Sequence, residues 1–236
     1  MTTRLVLDNQ TPIHVAGSPT SRRAVIVLQE AFGVNDHIRD VTERFGAHGF
    51  YAVAPELFHR AGSPELAYDQ FPDAMAALGT LSAAGLTADL EASASYLVAR
   101  GYPTASIGVV GYCMGGSVAF YAATLGIVGA AASFYGGGVA TGRFGLSSLL
   151  ELAPHLTCAW LGLYGDLDKG IPVEQVENLR EATSANAQST EIVRYADAEH
   201  GFHCDGRPAV FNAVAAADAA ARTYAFFDEH LVTTSA

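Results

Sequence analysis

The chain has 236 residues, half of them hydrophobic, with 13 basic against 24 acidic side chains and a formal charge of −11. Such a composition excludes disorder, and a chain of this length buries roughly 70% of its unfolded surface, enough for one full domain. The negative charge, with Lys169 the only lysine and the arginines scattered, excludes a nucleic-acid or anionic-membrane binder.

In chain order, two short alternating segments at 4–7 and 13–15 predict a hairpin at a sheet edge. Apolar runs at 24–28, 51–54, 107–110, 129–134, 159–164 and 192–195 follow, and they read as strands covered on both faces. Helical stretches are expected at 36–47, 86–100, 116–125, 173–185 and 208–231, with Asp36 as an N-cap-type residue and Gly49 just past the first helix. This alternation predicts an α/β fold with an open, mostly parallel sheet and helices on both faces. Ligands of such sheets bind beyond the carboxyl ends of the strands. Residues 55–72 form the longest irregular connection, a candidate cover for a site, and nothing is long enough for a cap domain.

Arg22-Arg23 superficially resembles a twin-arginine signal. The apolar run behind it is short and ends in Gln29-Glu30, so it reads as a buried strand. No run approaches the roughly 18–20 apolar residues of a membrane span. The three cysteines, Cys113, Cys158 and Cys204, lie far apart, as expected of reduced thiols in the cytoplasm.

Three segments carry chemistry. Gly111-Tyr112-Cys113-Met114-Gly115-Gly116 joins a strand to a helix through a G-x-C-x-G turn, the nucleophile-elbow pattern with cysteine in place of serine. Glycines flanking the nucleophile let neighbouring backbone approach closely, and the helix N-terminus offers the Met114 amide and a positive dipole to an oxyanion. Gly165-Asp166-Leu167-Asp168 places an acid after the next-but-one strand, and Glu199-His200-Gly201-Phe202 places a histidine after the last. Nucleophile, acid, histidine is the chain order of the α/β-hydrolase triad.

With Gln29-Glu30-Ala31-Phe32-Gly33, Ala54-Pro55-Glu56-Leu57-Phe58, Gly165-Asp166-Leu167-Asp168 ahead of Pro172, and His200-Gly201-Phe202, the chain resembles the dienelactone hydrolase family of α/β-hydrolases over nearly its whole length. The resemblance implies Cys113 as nucleophile, His200 as base and Asp168 as orienting acid, with Asp166 as the alternative. It also implies Glu30 beside the cysteine, taking up the thiol proton when substrate arrives, and Ala31 and Met114 as oxyanion donors. It further implies hydrolysis of an ester or lactone through an acyl-thioester, as in carboxymethylenebutenolidase, without a cofactor.

Family members acting on dienelactone hold its carboxylate with arginines, yet none lies between Arg60 and Arg100. Arg207 follows His200 at an altered spacing, and Arg60 is a candidate substitute clamp or partner for Glu30. Phe32, Tyr135, the glycines at 136–138 and Phe202 are further candidates for the substrate pocket. His200, His203, Cys204 and Asp205 share one loop and lack a second ligand pair, so no metal site is expected, and Cys158 reads as a small buried hydrophobe. A general small-ester carboxylesterase of the same fold is the alternative function. A non-catalytic thiol- or metal-binding protein is the other, disfavoured because no triad member is missing and no C-x-x-C occurs. The expected partner is a small-molecule ester or lactone, and a homo-oligomer is compatible with the sequence but not implied by it.

Overall fold

The computed structural model describes residues 1–234. Strands β1 (Thr3–Val6) and β2 (Pro12–Ala16) form the expected edge hairpin. β2 pairs antiparallel with β4 (Phe50–Pro55), which runs parallel to β3 (Arg23–Leu28). β5 (Ile107–Tyr112), β6 (Ala130–Phe134), β7 (Ala159–Gly165) and β8 (Thr190–Tyr195) continue the parallel sheet. The order is β1-β2-β4-β3-β5-β6-β7-β8. Every residue of β5, β6 and β7 is buried, which is why their sequences are continuous apolar runs. β8 departs from that pattern: as an edge strand it buries only Ile192 fully.

Among the described residues seven helices flank the sheet: α1 (Asp36–Ala47), α2 (Phe71–Leu78), α3 (Ala83–Val98), α4 (Met114–Ala122), α5 (Leu149–Leu152), α6 (Val173–Ser184) and α7 (Ala213–His230). From β3 the chain crosses to one side, through α1 to β4. From β5 it crosses to the other, through α4 to β6. Right-handed crossovers in opposite directions put α1 and α4 on opposite faces. The reversal also opens a crevice at the carboxyl ends of β3 and β5. α1 and α7 meet through Phe45, whose ring lies 5.1 Å from Tyr224 and 6.2 Å from Phe227.

Local chemistry moves several helix ends from where the sequence pattern puts them. Asn35 caps α1 in place of Asp36, its side chain accepting from the Ile38 amide at 3.2 Å. Ser82 starts α3 early by accepting from the Gly85 amide. Asn212 caps α7, so residues 208–211 lie outside the helix expected from 208. The connection at 55–72 contains a single helical turn at His59–Ala61 and ends in α2, a helix that the sequence reading does not place. Pro72 suits its first turn, where no intrahelical N–H is needed.

One buried polar network ties α3 to the connection and to the edge hairpin. Asp89, fully buried, accepts from Thr11 Oγ1 at 2.8 Å and from both terminal nitrogens of Arg60 at 2.7 and 2.9 Å, and pairs with His59 at 3.1 Å. Asp89→Ala is expected to lower stability by about 2 kcal/mol, because the Thr11 hydroxyl loses its partner in the interior. Urea denaturation with an unchanged midpoint would show that the network contributes nothing.

Candidate active site

The turn after β5 is built by close approach. A Cβ on Gly111 would lie 1.8 Å from the Gly115 carbonyl oxygen, and one on Gly115 would lie 2.5 Å from the Gln29 carbonyl oxygen. Only hydrogen fits at either place, so α4 begins at once, two residues before the expected 116. Cys113 sits between them at φ 55°, ψ −117°, a region that side chains rarely adopt. That conformation pushes the half-buried sulfur outward at the N-terminus of α4. The Met114 amide, in the first turn, has no acceptor within its own helix.

His200 and Asp168 come to this sulfur from the ends of β8 and β7. His200 Nδ1 lies 2.6 Å from Asp168 Oδ2, and the other carboxylate oxygen accepts from the Gly170 amide at 2.8 Å. The Asp168 carboxylate is buried, while the imidazole is about one-third exposed to the cavity side. Burial alone would lower the pKa of His200. The hydrogen bond to Asp168, the neighbouring Cys113 and the charge of Asp168 outweigh burial and push the imidazole up to about 10. Asp166 is occupied elsewhere: Arg194 grips both its oxygens at 2.7 and 2.8 Å. Of the two candidate acids, Asp168 is the one at the imidazole.

A cavity of about 440 Å³ opens over these groups, lined by Ala31, Phe32, Cys113, Met114, Asp168, His200 and Arg207 among others. Arg207 lies over the rings of Phe32 and Tyr68, 5.9 and 5.6 Å from their centroids. Three expectations are corrected here. Arg60 is neither a clamp nor a partner of Glu30, because Asp89 holds its guanidinium from both sides. Phe202 is fully buried among Phe134, Tyr135 and Tyr195 and does not line the cavity. Tyr135 is likewise fully buried, with its hydroxyl donating to Glu30 Oε1 at 3.2 Å. Burial, then the charge of Glu30, keep that phenol protonated.

Glu30 itself makes no hydrogen bond to Cys113 among the described residues. Its other oxygen, Oε2, is buried without a partner, and a carboxylate oxygen of the residue lies within 4.8 Å of ligand atoms of His37 and Cys204. The loop cluster at 200–205 is also divided. His203 packs between Tyr112 and Phe134, its pKa lowered to about 3 by burial and by the nearby His37 and Arg44. Asp205 pairs with His37 and Arg44, and Cys204 donates its S–H to the Tyr68 hydroxyl at 3.0 Å. Cys158 is buried, as read from the sequence.

Several cavity residues have no sequence signal. Arg143 and Phe144 arrive on the loop after β6, where Tyr135 and Phe144 take positive φ. Phe71, Met75 and Leu78 come from the unplaced α2 and turn apolar side chains into the opening. A strand-to-helix elbow with an N-terminal amide, facing a histidine held by a buried acid, on this strand order, defines an α/β-hydrolase.

The dienelactone hydrolase family model matches residues 13–231. A carboxymethylenebutenolidase of Pseudomonas putida is 30% identical over 202 residues, covering 83% of this chain and 82% of its own length. A protein of Escherichia coli (strain K12) provisionally named a carboxymethylenebutenolidase is 37% identical over 214 residues, 87% of this chain and 76% of its own. A crystal structure from Klebsiella pneumoniae, provisionally assigned as a dienelactone hydrolase, superposes with a TM-score of 0.86 at 31% identity, covering 98% and 99% of the two chains. The chain belongs to the dienelactone hydrolase family. It is a carboxylic ester hydrolase in class. No helix among its described residues is long and apolar enough to cross a membrane.

The proton on His200 has a predictable signature. Because the folded pKa is raised from 6.5 to about 10, the stabilisation it brings is complete below pH 6.5 and is lost as pH rises through about 10. Asp168→Asn is expected to bring the His200 midpoint down toward 6.5, read from its imidazole resonances. The stability difference between wild type and this variant should shrink as the pH is raised through the same window. A midpoint unmoved by the substitution would show that Asp168 does not set the charge of the ring.

Proposed function

We propose that the chain hydrolyses a small ester or lactone through a covalent acyl-thioester on Cys113. The observation that carries this reading is the elbow cysteine paired with a histidine that a buried acid holds, all three lining one cavity. The raised pKa of His200 keeps the imidazole protonated and able to donate once the sulfur has lost its own proton. The sulfur adds to the carbonyl carbon, and the charge that develops on oxygen is met by the amides of Met114 and Ala31. The C–O bond to the leaving group then breaks, and His200 gives its proton to the departing oxygen. In a lactone that alcohol remains tethered to the acyl chain. The neutral imidazole, oriented by Asp168, next takes a proton from water as the water attacks the thioester, which releases the acid and restores the sulfur.

Glu30 Oε1 accepts from Tyr135 while Oε2 has no partner among the described residues, which leaves that oxygen available to take up the Cys113 thiol proton when substrate arrives, as the family resemblance implies. The chemistry needs no cofactor. The charge of −11 and three free thiols support a cytoplasmic, single-domain enzyme that binds neither nucleic acid nor membrane.

Relatives named for carboxymethylenebutenolidase suggest a lactone that bears a carboxylate. Arg143, Lys169 and Arg207 at the cavity wall suit such a group, and Phe71, Met75 and Leu167 suit its hydrocarbon part. A general small-ester carboxylesterase is the second reading, favoured by that apolar wall.

Cys113→Ala should reduce turnover of a small activated ester by at least about a thousandfold with the fold intact. Undiminished hydrolysis would remove Cys113 from the mechanism. Arg143→Ala should raise KM for a carboxylated ester by roughly tenfold and leave a neutral ester of the same size unchanged, the loss of one charge-assisted contact. Equal effects on both esters would favour the general carboxylesterase.

A further inference from the structure

The cavity over Cys113 takes its walls from two sources of opposite character. Its basic side chains, Arg143, Lys169 and Arg207, come from the connections after β6, β7 and β8. The connection after β4 brings α2 instead, with Phe71, Met75 and Leu78 on the cavity. No lysine, arginine or histidine occurs between Arg60 and Arg100, and Asp73, the one charged residue of α2, does not line the cavity. Positions 71, 75 and 78 follow the spacing of one helix face. Phe71 and Met75 are 60% and 51% exposed, and Leu167 at the same opening is 50% exposed. The fold gains nothing by leaving such groups in water, and an apolar patch of this kind beside a reacting centre marks a surface for a ligand.

We propose that α2 selects the substrate by taking an unbranched alkyl tail on the lactone or ester that reacts at Cys113. The inference rests on the hydrolase reading of this cavity and narrows its substrate class. Shape favours a chain. Phe71 and Leu78 lie roughly 10 Å apart along the helix axis, the reach of about six to eight carbons. The strip they form with Met75 is one side chain wide, which suits an extended chain laid along the helix better than a broad ring system. Polarity favours hydrocarbon. A carboxylate on α2 would give up water without gaining a cation, whereas methylenes there cover two exposed apolar side chains. Phe71 and Met75 are therefore specificity-determining residues, and the flexible thioether of Met75 adapts to tails of different length. The basic groups on the other connections are left for a polar part of the same molecule.

The test uses the full chain and γ-lactones that share one ring and carry a methyl, butyl or hexyl tail. A fourth lactone has a tail of hexyl length that ends in a carboxylate. kcat/KM is expected to rise about twofold per methylene, roughly thirtyfold from methyl to hexyl, the increment for half-covered hydrocarbon. The carboxylate-ended tail should fall back to the level of methyl. Phe71→Ala and Met75→Ala should each cut the hexyl-to-methyl ratio by about fivefold, and both side chains are exposed enough that the fold stands. Met75→Arg should reverse the preference between the two long tails. A flat or falling series, a wild-type preference for the carboxylate-ended tail, or a ratio unmoved in the variants would overturn the assignment. Titration of the same lactones into Cys113→Ala reads affinity without turnover. Affinity that climbs with tail length, while the wild type hydrolyses none of the series, would uphold the role of α2 and remove only the hydrolase reading.

Discussion

The contact of Gly115 with the backbone of the first parallel strand's exit governs the site. At Gly115 a Cβ would meet the carbonyl oxygens of Gln29 and Leu28 at 2.5 and 2.6 Å. That approach presses the start of α4 against the segment that carries Glu30 and Ala31. It brings two residues from distant points of the sequence, Ala31 and Met114, to one cavity. It also forces the intervening Cys113 into a backbone conformation that costs about 1–3 kcal/mol. The surrounding sheet supplies this: the Cys113 amide is tied to the Phe134 carbonyl at 3.1 Å, and every residue of β5 is buried. The strain is sustained by the rigid strands on either side and serves to present a sulfur that would otherwise pack inward.

The acid and the histidine obey the same rule of placement. Each stands just beyond the carboxyl end of its strand, so the sheet fixes their separation and neither needs a long flexible arm. Asp168 is nearly buried, and its two oxygens are divided between the Gly170 amide and His200. A carboxylate held in this way cannot turn away from the ring, and the ring cannot present its other nitrogen to Asp168 without losing the bond. The orientation of the imidazole toward the sulfur therefore follows from one short loop, residues 168–170.

Much of this was legible in the sequence because it depends on local rules. Continuous apolar runs reported the buried strands, and glycine spacing reported the elbow. Chain order reported the triad candidates and the loop ahead of Pro172 put Asp168 first, while the partner that occupies Asp166, Arg194, is one that no motif announces. What was not legible depends on long-range pairing. Arg60 reads as a free cation near the site until Asp89, on another helix, is seen to take it. Glu30 sits at the expected point after β3, but Tyr135 from β6's exit decides where its carboxylate points. Arg143 reaches the cavity on the loop after β6, in which Tyr135 and Phe144 take positive φ, a conformation for which their side chains carry no signal. α2 was missed for another reason. Phe71, Ala74, Met75 and Leu78 do recur at helical spacing, but the helix is only eight residues long, buries only Ala74 and Ala77 and turns Phe71 and Met75 to the cavity mouth, so it does not read as a core helix.

The loop after β8 shows how a single connection can serve two sets of contacts. His200 opens it, and Cys204 lies four residues later, on the far side of a tight turn closed by the bond from the Cys204 amide to the Gly201 carbonyl at 2.9 Å. Glu30 and Ala31 stand in the same relation across the molecule: of this adjacent pair one lies near Cys204 and the other lines the cavity. The polar groups around Glu30 are thus joined to the cavity by the single peptide unit to Ala31 on one side and by the four-residue turn from Cys204 back to His200 on the other.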